Sequence, residues 1–317
     1  MHVHHLPRAL IEAYARRADV PRLVHEQGER LVDMGGGILY PLFPDLLDPA
    51  LRRASMDAHG IDASVPSVPP PGVDGFAPGD AAAVARACND ELAELGERLR
   101  AVAVLPLQAP AAAADELERA VGLGLRGGVL FSNVGGARLD EPRFRPVFEA
   151  AAALRAPLLL HPATPVGADA ATGYALPTTL GFLIETTVCV LRLVLQGLFQ
   201  RHPELVLVVP HVGSVIPYIL GRIDYEAGLL PGGSGTLEEP PSEHLRRLHV
   251  DSVCAWPPAL RLALEVFGPE QVLFGSDEPY WRIADGVSTV DAATLDPAAV
   301  AAVWYENAER IFRLGEP

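Results

Sequence analysis

Seven short, largely apolar runs and a short first strand, separated for the most part by helical segments, constrain this chain more than any other feature of its sequence. Pro157-Leu158-Leu159-Leu160 and Leu205-Val206-Leu207-Val208-Val209 carry no polar alternation at all. A strand with one wet face alternates apolar and polar residues, whereas a run apolar on both faces belongs to a parallel sheet covered on both sides. The remaining runs lie at residues 63–68, 101–105, 127–131, 248–252 and 271–276, with a short first strand at His2-Val3-His4. Helical patterns fall at 8–18, 48–58, 80–98, 110–123, 142–154, 180–199, 213–225, 258–267 and 297–313, the second opened by Asp48-Pro49 as cap and first residue. Repeated strand–helix units of this kind close into a (β/α)8 TIM barrel, an α/β architecture that fills 317 residues as a single domain. An open doubly wound sheet is the competitor, but no Gly-x-Gly-x-x-Gly follows the first strand. We therefore expect one barrel domain over residues 1–317, with extra loops and helices at its C-terminal mouth.

Charge and cysteine usage narrow the function classes. A formal net charge of −15, without any Arg-rich run, repels a phosphate backbone, so no nucleic-acid partner is expected. Cys88, Cys189 and Cys254 have no CxxC spacing, which argues for packing roles in a reducing compartment. With no basic-then-apolar leader, the expectation is a cytoplasmic protein. The most apolar stretch, 180–199, contains Glu185, Arg192 and Gln196 and reads as a buried helix of a soluble protein, not a membrane span.

In a barrel the groups that do chemistry sit at the C-terminal ends of the strands, all at one mouth. His2 and His4 project from the same face of the first strand. A tag remnant or a solvated cluster at a frayed terminus is the bland alternative for that pair. His161 ends the fifth strand, His211 follows the sixth, and Asp277 follows the eighth. Singly, these could be a core histidine bonded to a carbonyl, a helix cap, and a turn aspartate. Together they bring four imidazoles and a carboxylate to one place.

His2-Val3-His4, Leu160-His161-Pro162, Val209-Pro210-His211-Val212-Gly213, Gly275-Ser276-Asp277-Glu278-Pro279 and Asn307-Ala308-Glu309-Arg310-Ile311-Phe312 resemble the amidohydrolase-2 group of the amidohydrolase superfamily. Within that group the pattern is most similar to the aminocarboxymuconate semialdehyde decarboxylase-like enzymes. Asp48-Pro49-Ala50-Leu51-Arg52, residues 56–62 and Glu185-Thr186-Thr187 extend the likeness over nearly the whole chain. The resemblance implies one divalent metal held by His2, His4, His161 and Asp277, with His211 beside it as general acid/base, and a homodimer. Imidazole and carboxylate ligands with an open position suit Zn²⁺, with Mn²⁺ as the second choice. Two departures stand out. Met1 directly precedes His2 where the family carries further strand residues, so a short first strand or a late start is expected. Phe43 stands where decarboxylases of acidic substrates often place an arginine, so either the substrate carboxylate lacks that clamp or the substrate is more apolar.

The expected activity is non-oxidative decarboxylation of a small aromatic or conjugated carboxylic acid, with Asp277 or His211 delivering the proton. Hydrolysis of an ester, lactone or amide by a metal-bound water is the runner-up, and a metal-free scaffold barrel the third. Arg222 and Arg282 are candidate clamps for a substrate carboxylate, with surface arginine the default for both. Trp256, Tyr280 and Trp281 are candidates for stacking on an aromatic substrate, against ordinary loop packing.

Overall fold

A computed structural model describes residues 2–35, 37–165, 173–293 and 296–315. Its eight parallel strands are β1 (His2–His4), β2 (Val65–Ser67), β3 (Ala103–Val104), β4 (Gly128–Phe131), β5 (Leu158–His161), β6 (Leu207–Val209), β7 (His249–Asp251) and β8 (Val272–Leu273). Strands β3 to β8 form one sheet in chain order, and β1 pairs with β2. Two narrow seams complete the ring. A bridge between Ser64 and Leu99, with the Val102 N–H donating to the Pro66 carbonyl at 3.0 Å, joins β2 to β3. A bridge between Val3 and Glu278, with the Asp277 N–H donating to the His2 carbonyl at 2.8 Å, joins the end of β8 to β1. Gly275 lies at this second seam, where a Cβ would stand 2.9 Å from the Cβ of His2. Any side chain there would push β1 off the barrel.

The pleat decides what faces the axis. Val65, Val129, Leu159, Val208 and Leu273 fill the interior, with Ile311 and Phe312 of the last helix, Asn307–Phe312, packed into the same cluster. Their strand neighbours Leu158, Leu160, Leu207, Val209 and Val250 face the helices instead. Two residues beyond Leu159 on the same face stands His161, level with Phe131 in the register. By the same rule His2 and His4 face inward beside Val65 and Ser67, and Asp251 faces inward beside Leu273.

Outside the ring, Asp48 caps the helix Pro49–Ala58, accepting the Ala50 N–H at 2.8 Å with Pro49 in the first turn. Three features depart from the sequence expectation. Residues Arg22–Glu26, Glu29–Gly35 and Ile38–Pro41 form an antiparallel sheet between β1 and β2, whose charged residues dilute its alternation. A further helix, Ile283–Ala292, follows β8. The segment expected as one buried helix at 180–199 divides into a π turn Pro177–Gly181, the helix Phe182–Leu195 and a short helix Leu198–Arg201 after Gly197 at φ 78°. Residues Pro177–Leu195 are long and apolar enough to cross a membrane by length and composition. Phe182, Val190 and Leu193 pack inward, but Leu180, Ile184 and Val188 form an exposed stripe, because only one side of the helix meets the barrel.

Candidate metal centre and active site

The inward-facing residues at the strand exits converge. Ligand atoms of His2, His4, His161 and Asp277, all four buried, lie within 4.8 Å of one another. His4 Nε2 is 3.0 Å from Asp277 Oδ1, and His2 Nε2 is 3.4 Å from the same oxygen. Each imidazole is turned by an oxygen on its far side. His2 Nδ1 lies 2.6 Å from Asp251 Oδ2, His4 Nδ1 3.3 Å from the Ser67 carbonyl, and His161 Nδ1 2.9 Å from the Pro162 carbonyl. An acceptor at Nδ1 holds the proton there and leaves the Nε2 lone pair free on the inner side. His2 Nε2 is buried without a hydrogen-bond partner, an arrangement that a protein tolerates poorly unless a ligand completes it. Three imidazole nitrogens and one carboxylate thus fit a single divalent cation.

The charge states of His161, His4 and Asp277 agree with that fit, whereas the two carboxylates around His2 favour its protonated form. Burial, reinforced by neighbouring His4 and His2, holds His161 well below the ordinary imidazole pKa. Burial also lowers His4, outweighing its contact with Asp277. On His2 burial opposes charge, but Asp277 and Asp251 overcome it and raise the pKa. Burial works against the Asp277 carboxylate too, yet His2 and hydrogen bonds from His211 and His4 hold it well below the usual carboxylate range.

His211 stands just outside the four, its Nε2 3.8 Å from Asp277 Oδ2. Backbone geometry aims both residues. His211 has φ 57° and Asp277 φ 58°, left-handed conformations that non-glycine residues adopt only where the surroundings enforce them. For His211 the enforcing contact is Asp251, whose Oδ1 accepts the His211 N–H at 2.7 Å. Asp251 was not among the residues singled out from sequence. Its signal was the inward parity it shares with His249 at the end of an otherwise apolar strand.

Above the cluster opens a cavity of about 690 Å³, walled mainly by apolar and aromatic groups, with His4, His161, His211 and Asp277 in its lining. Tyr280 and Trp281 line it. Tyr280 lies between the Tyr40 ring at 4.9 Å and the His4 ring at 5.6 Å. Tyr40, brought in by the antiparallel sheet, had no sequence signal. Phe43 does not line the cavity but backs Tyr280 at 6.0 Å. Trp256 is 65 % exposed and outside the lining. Neither arginine reaches the cavity: Arg222 pairs with Glu226 at 3.1 Å, and Arg282 pairs with Asp285 at 2.9 Å, both on the outer surface. Each has a carboxylate one helical turn away, a local partner that holds it at the surface.

Residues 1–314 match the amidohydrolase family model. The chain is 34 % identical over 294 residues to a gamma-resorcylate decarboxylase of Rhodococcus jostii, covering 83 % of this chain and 87 % of that one. Its fold is similar to the crystal structure of 5-carboxyvanillate decarboxylase from Sphingomonas paucimobilis, with TM-score 0.81, 36 % identity, and 85 % and 86 % of the two chains covered. It is likewise similar to a dihydroxybenzoic acid decarboxylase of Polaromonas sp. JS666 that holds manganese and the inhibitor 2-nitroresorcinol, with TM-score 0.80, 29 % identity, and 86 % and 88 % covered.

Proposed function

The chain belongs to the amidohydrolase family, and on that footing we propose that it is a metal-dependent non-oxidative decarboxylase of an aromatic carboxylic acid. The observation that carries this is the convergence of three inward imidazole Nε2 atoms and one carboxylate on the floor of an apolar cavity of about 690 Å³, a size suited to a substituted ring. His2, His4, His161 and Asp277 would hold the cation, which supplies Lewis-acid stabilisation of negative charge on the substrate. Three imidazoles with one carboxylate favour Zn²⁺, and Mn²⁺, present in the Polaromonas enzyme, is the alternative.

The chain's own groups account for the remaining requirements. Tyr280 and Trp281 flank a ring entering the cavity, holding its carboxylate toward the floor. As the ring–carboxylate bond breaks, its electron pair stays on the ring carbon, CO₂ departs, and that carbon takes up a proton. His211 is the proposed donor, because Asp277 would be engaged by the cation while His211 stands just outside the four, its Nε2 3.8 Å from Asp277 Oδ2. Hydrolysis by an activated water would use the same cluster, but the Rhodococcus, Sphingomonas and Polaromonas proteins it resembles are decarboxylases. The complete set of five polar exits argues against a scaffold without metal. Homodimer formation and cytoplasmic residence belong to the same proposal, supported by the uncovered stripe at Leu180, Ile184 and Val188 and by three free cysteines.

Protein loaded with Mn²⁺ or Zn²⁺ should release CO₂ from hydroxybenzoates. His211→Asn should cut kcat by roughly 10²–10⁴-fold while elemental analysis finds its metal unchanged. Absence of CO₂, together with cleavage of an ester, lactone or amide, would move the assignment to the hydrolase.

A further inference from the structure

Apart from the histidines of its floor, the cavity lacks any cationic side chain among the described residues that line it. Residues 166–172, outside the described residues, contain no arginine, and the chain contains no lysine. Arginines on the elements around the mouth are already committed. Arg222 and Arg282 are paired on the surface, and Arg52, buried behind β1, is paired with Glu278 and donates to the His4 carbonyl at 3.0 Å. In place of cations, the lining offers neutral hydrogen-bonding groups. The Tyr40 and Tyr280 phenols line the cavity, and Ser214 Oγ is buried without a hydrogen-bond partner.

From this juxtaposition we propose that the substrate is an aromatic monocarboxylic acid whose other ring substituents are uncharged, and that the site rejects the same ring carrying a second carboxylate. The proposal rests on the decarboxylase assignment and specifies what that site accepts. One carboxylate is met at the imidazole–aspartate floor. A second would enter an apolar enclosure with no counter-charge, where an unpaired ion is strongly disfavoured. The net charge of −15 works in the same direction at long range by repelling a dianion more than a monoanion. Hydroxyl substituents on the ring find the phenols and Ser214 as neutral partners, and alkyl substituents find Phe182, Leu183 and Val253.

A matched pair tests this on the metal-loaded protein: 5-propylsalicylate against 4-hydroxyisophthalate, in which a carboxylate replaces the propyl group. We expect kcat/KM for CO₂ release to favour the propyl acid at least tenfold, and its calorimetric Kd to be at least tenfold lower. Equal or reversed ratios overturn the substrate proposal and leave decarboxylation standing. If neither acid releases CO₂ the decarboxylase assignment falls, and the ratio of the two Kd values still decides whether the cavity discriminates by charge.

Discussion

Asp251 illustrates how one side chain sets several others. Its Oδ2 turns His2, and its Oδ1 accepts both the His211 N–H at 2.7 Å and the Val253 N–H at 3.0 Å. Burial opposes its charge, but His2 overcomes this and lowers the pKa, so it remains a carboxylate. Asp251→Asn keeps the size and removes the charge that raises the basicity of His2. Metal affinity should fall by roughly 10–100-fold, as for other residues that orient a metal-bound histidine, in competition with a chromogenic chelator. Unchanged affinity would mean that His2 is aimed by the β1 backbone alone. His161, His211 and Asp277 were legible in the sequence because each terminates or follows an apolar run, where a polar side chain has few structural reasons to be, and His2 and His4 because the two-residue period puts both on one face. Asp251 was not, because it sits inside a run that reads plausibly to Ser252, and only the register beside Leu273 shows that it faces the axis.

At the level of elements, the weak place in the barrel is the seam between β8 and β1, where isolated contacts replace a continuous ladder. The helix Pro49–Ala58 reinforces it from outside. Arg52 pairs with Glu278, donates to the His4 carbonyl, and is 1 % exposed, while Ser55 Oγ donates to Glu278 Oε1 at 2.7 Å. Arg52→Met leaves Glu278 buried without its partner and should cost about 3–5 kcal/mol in urea unfolding, a large part of a typical domain's stability. Adding Glu278→Leu should restore much of the loss, because the uncompensated charge is then gone. If the single variant costs under about 1 kcal/mol, the value of a surface pair, the helix is not what holds the seam. The parallel strands themselves were readable from their unbroken apolar character. The antiparallel sheet was not: Arg22, Glu26, Glu29 and Arg30 place charge on both its long strands, and its role is to deliver Tyr40 to a cavity formed by residues far away in sequence.

For the whole molecule, stability against pH follows from buried titratable groups outside the cluster of His2, His4, His161 and Asp277. Burial first, then nearby Arg310, lowers His249 from 6.5 to about 4, and burial with Arg52 lowers His5 to about 4. Between those limits the unfolded chain binds these two protons and the folded chain does not, so folding loses stability as pH falls from 6.5 toward 4. Each full shift of that size corresponds to about 3 kcal/mol. Asp74 acts in the opposite sense, since burial raises it from 3.8 to about 8. Its stabilising contribution is complete below pH 3.8 and is lost as pH rises through 8, and the part of its surface open to water makes the effect smaller than the full shift. The histidine pair outweighs Asp74 below pH 6.5, and Asp74 acts alone of the three above it. Urea midpoints should therefore peak near pH 6.5, with His249→Gln flattening the acid side and Asp74→Asn the alkaline side. If His249→Gln leaves the acid slope intact, protons are entering elsewhere, and the imidazoles around Asp277 become the groups whose titration limits the fold.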